Sequence, residues 1–372
     1  MDFSVITTVY YFIFLVLFAL FICNESMLFS VDNRVIKISS GISIFILTFF
    51  SGLRWETGTD WDNYYNFFND IYFSNINAPE FYHYDFGYKI FNALIHSFTS
   101  SYTIFLIIDT FVAVYLIYVS LKKMESKVFL GLSIFYANYY ISTYLGSNRR
   151  IIAIGLATLA VVYFFLEKRK SAIICLAIGV VFHWTAIVAI IAFFVPKKLF
   201  GFYKLVIAVF ISCLLGFSKY VISIISGILN LMSLVGLKTL SDTGRFYLLM
   251  GTEDLGISHF AMAVIKRILV LAIIYFIYHN LLETRTKKMN YFINLYSIST
   301  CAYMALNGMG VIQIITVYFA IMEIFMWSEI YKNLNSKNRI YIIVIIFVIY
   351  TMEAISSFPV YKELYLPYKW VL

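Results

Sequence analysis

The chain has 372 residues, of which 62% are hydrophobic and 13% charged, and a formal net charge of +8. Soluble domains carry about 25% charged residues, so at half that share the chain cannot cover its surface with water-compatible side chains and reads as an integral membrane protein. Lys and Arg sit in short clusters between apolar runs, and with no long basic face to follow a phosphate backbone, nucleic acid is excluded as a partner.

A hydrocarbon core of about 30 Å takes roughly 20 apolar residues per helical span. Apolar runs fall at 3–23, 36–53, 102–121, 128–146, 151–166, 171–195, 200–217, 220–237, 259–282, 290–307, 309–330 and 339–356. They predict an all-α, polytopic membrane protein of about 10–12 transmembrane helices, with 1–372 as a single transmembrane domain. The first run lacks a basic n-region and a small-residue cleavage site, so it is expected to remain as a span. Cys23, Cys175, Cys213 and Cys301 are scattered through apolar segments and read as small buried hydrophobes.

Four linkers are basic: Lys122, Lys123 and Lys127; Lys168, Arg169 and Lys170; Arg285, Lys287 and Lys288; Lys332, Lys337 and Arg339. By the positive-inside rule they lie in the cytoplasm, which places loops 54–100 and 238–258 on the outer side. Pro196, Lys197 and Lys198 conflict with 171–195 as one span. The alternative is two half-helices broken near His183, with 220–237 along the membrane surface. The run 86–98 is too short to cross and reads as re-entrant or interfacial. In 61–73, Trp61, Tyr64, Tyr65, Phe68, Ile71 and Tyr72 share one helical face, which predicts an amphipathic helix anchored in the interface.

Four polar clusters stand out, and the topology puts all of them on the outer side. Arg54, Glu56, Thr57, Gly58, Thr59, Asp60 and Asp62 follow directly on a span, as a substrate site or as a polar loop with an Arg54–Glu56 or Arg54–Asp60 pair. Asp60 and Asp62 also look like an Asp-x-Asp metal-nucleotide pair, but no Gly-rich strand–helix unit accompanies them. Arg149 and Arg150 open a span on the side where the rule disfavours arginine, either to grip phosphate with bidentate bonds or to snorkel to headgroups. His183 lies deep in an apolar run, as a general base or as a helix–helix tie. Arg245 sits in the fourth cluster beside Asp242, a local ion-pair partner.

Arg54 to Trp61 (RWETGTDW), followed by Tyr64-Tyr65, resembles the signature of the EpsG family of Wzy-type polysaccharide polymerases. Tyr84–Tyr88 with Asn92, Asn148-Arg149 with Ala153, Phe182-His183 with Thr185-Ala186, Gly244-Arg245 and the late Pro-Tyr-Lys resemble further elements of that family, in order along most of the chain. Arg150 departs from the pattern, standing where the family often has Gln.

The resemblance implies an architecture like that of lipid-dependent glycosyltransferases and O-antigen ligases of the GT-C-like kind. It implies an O-antigen or similar surface-glycan polymerase in the bacterial cytoplasmic membrane, active on the periplasmic side. The growing undecaprenyl-pyrophosphate-linked glycan is then the donor, and a lipid-linked repeat unit attacks its anomeric carbon, with no metal and no cofactor. Arg54, Arg149, Arg150 and Arg245 are the expected pyrophosphate-binding residues, and His183 or Asp60 the expected base. The expected partners are membrane lipid, a chain-length regulator and a flippase of the same pathway. The competing functions are a polyprenyl-phosphate-dependent single-sugar glycosyltransferase and a lipid-linked oligosaccharide flippase.

Overall fold

The computed structural model describes residues 5–26, 31–218, 220–236, 238–249, 256–356 and 362–371. The described parts of all twelve apolar runs fall on helical segments, and among the described residues there is no strand, while Arg54 and Trp370 form an isolated bridge. Among the described residues six helices are long and apolar enough to cross a membrane, or seven if Phe202–Ser218 and Tyr220–Leu234, bent by 72°, form one span. The fold is therefore that of a polytopic α-helical membrane protein. Most runs outside this count are short or interrupted, whereas helix Lys287–Ala305 is long enough but too polar. The run 128–146 forms helix Val128–Phe135 and then wide π-type turns over Tyr136–Tyr144. The run 171–195 is two pieces that meet at His183, as the half-helix alternative expects.

No linker marks a domain border, yet the contacts group the chain into two compact units, 1–193 with 324–372, and 194–323. In the first unit the helices are α1 (Val5–Glu25), α2 (Asn33–Gly52), α3 (Trp61–Asp70), α4 (Phe86–His96), α5 (Tyr102–Lys123), α6 (Val128–Phe135), α7 (Asn148–Phe165) and α8 (Arg169–Phe182). Helix α7 packs between α5 and α8, α2 lies on α5, α1 on α6, and α4 on α8. Glycine permits two of these approaches. A Cβ on Gly155 of α7 would meet Leu116 at 2.9 Å, and one on Gly87 of α4 would meet the Val181 carbonyl at 2.9 Å.

The start of α5, the start of α7 and the end of α2 meet at one end of this unit. The basic linkers after α5 and α7 lie at the other ends of the same two helices, where Glu25 at the end of α1 accepts the free N–H groups of Val128 (2.7 Å) and Phe129 (2.8 Å) at the start of α6. Helix α3 corrects the interfacial-anchor expectation. Its buried residues Trp61, Tyr64, Phe67 and Phe68 recur at helical spacing, but they pack with Phe81, Tyr88, Tyr102 and Phe105 of the protein itself. Stacked and edge-on rings such as Phe67–Tyr84 (3.8 Å) and Trp61–Tyr65 (4.9 Å) bind this cluster together.

The second unit packs helix Phe202–Ser218 on Lys287–Ala305 and Tyr220–Leu234 on Lys238–Leu249. Asn294 ties the irregular stretch before it, donating to the Pro196 (2.9 Å) and Lys198 (2.8 Å) carbonyls and accepting from Phe200 N (2.9 Å). Part of the loop expected at 238–258, residues 250–255, lies outside the described residues.

Candidate active site

The run 171–195 contains no proline, and the reason it breaks is a carboxylate from another helix. At His183 the backbone turns to φ −157°, ψ 114°, so helix α8 stops and the N–H of Trp184 loses its helical acceptor. Asp85 replaces that acceptor: its Oδ1 takes the Trp184 N–H at 3.3 Å and its Oδ2 the His183 Nδ1 at 3.0 Å. Asp85 stands at the N-cap of α4 but makes no cap bond there, because its carboxylate is turned onto the break. An ionised carboxylate only accepts, so Nδ1 carries the proton and the lone pair of the neutral ring falls on Nε2.

The same Oδ2 lies 3.4 Å from Nη1 of Arg149, which also donates to the His83 carbonyl at 2.9 Å and sits over the Tyr84 ring at 5.8 Å. The side chains of Asp85, His183 and Arg149 are 14%, 4% and 16% exposed, so water screens this charge cluster weakly. Arg150 is half-buried, and its guanidinium has no hydrogen-bond or ion-pair partner among the described residues. Its charge acts on Asp60, at the N-cap of α3. Burial pushes the Asp60 carboxyl above the usual carboxylate range, against the pull of Arg150 and then Arg149.

The loop that delivers Asp60 is seated on the turn before α7. Thr59 Oγ1 donates to the Gly146 carbonyl (3.3 Å), and Tyr64 Oη meets Ser147 Oγ at 3.4 Å. Gly58 has φ +115°, and a Cβ there would lie 2.0 Å from the Leu145 carbonyl oxygen, so both conformation and space require glycine.

Arg54 faces inward. It is 2% exposed, with Nη1 donating to the Ser51 carbonyl (2.7 Å) and hydroxyl and Nη2 to Asn148 Oδ1 (2.7 Å). Asn148 in turn donates to Tyr102 Oη (3.2 Å), so Arg54 ties the end of α2 to the residue that opens α7, next to Arg149. Neither pairing expected from the sequence forms: Glu56 pairs with Lys369 at 2.8 Å, and the acidic residue that Arg54 influences from its buried position is Asp109, fully buried in α5. Arg245 belongs to the second unit, where it is exposed and donates to Asn230 Oδ1 at 2.6 Å rather than pairing with Asp242.

The structure thus brings Asp60, Arg149, Arg150 and His183 to one end of the first unit. Two residues escaped the sequence reading. Asp85 was one of six acids in an outer loop, marked only by its place in the Tyr-Asp-Phe-Gly-Tyr element, and Asp109 was hidden in a span. Neither the curated proteins nor the solved structures compared with the chain gave a match. A family model does match, over residues 37–370, which include every side chain of this site. The chain belongs to the EpsG family, and is a polysaccharide-polymerase-like membrane protein.

Proposed function

We propose that the protein joins undecaprenyl-pyrophosphate-linked oligosaccharide repeat units into an O-antigen or similar surface glycan, at the periplasmic face of the cytoplasmic membrane. The observation that carries this reading is the Asp85 carboxylate shared between His183 Nδ1 (3.0 Å) and Arg149 Nη1 (3.4 Å), which sets a base beside a cation. The acceptor hydroxyl attacks the anomeric carbon of the donor glycan and forms the new glycosidic bond. The bond from that carbon to the pyrophosphate oxygen breaks, and its electron pair leaves with the lipid pyrophosphate. His183 Nε2 takes the hydroxyl proton while Asp85 holds the ring and stabilises the imidazolium that forms.

Negative charge grows on the leaving group, and fixed guanidinium groups placed there before reaction lower the barrier. Arg150, whose guanidinium has no internal partner among the described residues, meets the pyrophosphate most directly, and Arg149 adds its field from a fixed position. Asp60 orients the acceptor. No metal and no cofactor enters this scheme, and a chain-length regulator and flippase of the same pathway are the partners it calls for. Loss of the gene product tests it: a polymerase defect leaves one repeat unit per lipid A core. Long chains of altered composition, or no repeat units at all, would contradict the proposal.

A further inference from the structure

The described residues of the late segment 362–371 lie against the loop that carries Asp60, and three backbone groups of that loop, the Leu53 carbonyl and the Trp55 and Gly58 N–H groups, find their partners there. Trp55 N donates to the Lys369 carbonyl (2.9 Å), Gly58 N to the Leu364 carbonyl (2.9 Å), and Val371 N to the Leu53 carbonyl (3.0 Å). Lys369 N reaches Thr57 Oγ1 (3.4 Å) and its Nζ reaches Glu56 (2.8 Å). Two tyrosines anchor the segment in the helices. Tyr368, 9% exposed, stacks on Phe50 at 4.7 Å and donates to its carbonyl. Tyr365, 3% exposed, accepts at its carbonyl from Tyr10 Oη (2.7 Å).

The same segment also touches the turn that opens α7. A Cβ on Gly146 would lie 3.1 Å from Tyr365 Oη and 2.6 Å from Thr59 Oγ1, so Gly146 is the point where segment, loop and turn converge. The 53–60 loop is therefore clamped between residues 362–371 and the turn 145–148, which leads directly into Arg149 and Arg150. An exposed ion pair such as Lys369–Glu56 contributes little by itself. The backbone bonds and the buried rings set the geometry.

We infer that residues 362–371 form a strap that positions the active site, holding Asp60 in register with Arg149 and Arg150. Tyr365 and Tyr368 are its positioning residues. The inference rests on the polymerase reading for its consequence in activity, whereas the clamp is a property of the fold and has its own readout. A general loop closure would serve any surface protein, but here the strap spans the two segments that supply opposite charges to one site.

The test uses the full-length protein in detergent or nanodiscs, with Tyr368→Ala, Tyr368→Phe and Val371→Pro variants. Tyr368→Phe keeps the stack on Phe50, and Val371→Pro removes the N–H that bonds Leu53 and fixes φ at that residue. Amide hydrogen exchange at Trp55 and Gly58 is expected to quicken about tenfold or more in Tyr368→Ala and Val371→Pro. Polymer formed per folded protein is expected to fall about 10–100-fold in the same two variants, with Tyr368→Phe restoring most of it. Unchanged exchange in both variants would overturn the strap as the holder of the loop. Faster exchange with normal polymer per folded protein would overturn its role in positioning. If the unaltered protein lengthens no lipid-linked glycan, the polymerase reading fails, and the exchange rates still decide whether the strap holds the loop.

Discussion

His183 and Asp85 stand 98 residues apart in the chain and meet at 3.0 Å, imidazole Nδ1 to carboxylate Oδ2. The contact resolves two local problems together. It supplies an acceptor at the end of α8, where the backbone leaves the helix, and it fixes which ring nitrogen carries the proton. The half-helix architecture of 169–194 and the chemistry of the site thus have one cause.

Loss of this contact is expected to act on rate before it acts on protein level. Asp85→Asn keeps the size and one acceptor oxygen but removes the charge that stabilises an imidazolium, and His183→Gln keeps polarity but takes up no proton. Each should slow polymerisation by about 10²–10⁴-fold while lipid-linked substrate still binds. A purified in vitro assay reads both quantities. Near-normal turnover in His183→Gln would remove it from catalysis and leave Asp60 as the base.

The arginines are expected to separate into two kinds. Arg150→Ala should abolish polymer with the protein still folded in the membrane, and Arg150→Lys should rescue poorly, since an ammonium does not reproduce the bidentate fork. Arg54→Ala instead leaves the buried Asn148 Oδ1 unsatisfied, at about 1–3 kcal/mol, and empties the buried space of the guanidinium. Its protein level and thermal stability should therefore fall. A fully stable, inactive Arg54→Ala would show that Arg54 meets substrate directly.

Asp60 predicts the acid side of the pH profile. An orienting carboxylate works ionised, so activity is lost as pH falls through its pKa, and burial has raised that pKa. The acid limb should lie above that of a free aspartate. Arg150 is the larger of the two charges that favour ionisation, so in any residual activity of Arg150→Ala the limb should move to higher pH. Asp60→Asn should remove that component and leave only the limb set by protonation of the base His183. An acid limb that persists unchanged in Asp60→Asn belongs to another group.

Gly58→Ala tests the seat of the loop. At φ +115° with the Leu145 carbonyl 2.0 Å from the new Cβ, the loop has to shift, and forced positive φ costs about 1–3 kcal/mol. Lower thermal stability and faster exchange at Gly58 are the expected outcome. A variant that matches the unaltered protein in both would mean the loop relaxes freely.

Sidedness is decided by labelling single cysteines placed at exposed positions. Asp62→Cys is expected to react from the periplasmic side and Lys122→Cys from the cytoplasmic side. Reaction of Asp62→Cys from the cytoplasm alone would invert the topology and move the site with it.

Composition and hydropathy by themselves determined that the chain is a polytopic protein of membrane helices, because that depends on sums over local sequence. The positions of Arg54, Asp60, Arg149, Arg150 and His183 were legible as polar residues where polarity is costly. What each does was decided by packing. Arg54 reads the same as Arg150 in sequence, yet it turns inward because Asn148 and Ser51 offer buried acceptors. The ring face of α3 reads as a lipid anchor, yet the α5 and loop aromatics cover it first. Asp85 gives no local signal: its carboxylate acquires meaning only when α4 closes on α8 through Gly87 and an unpaired N–H awaits it there. A helical span is stable through its own backbone bonds, whereas a site is built from the groups that helices leave unsatisfied at their ends, and only the tertiary structure decides which of those ends meet.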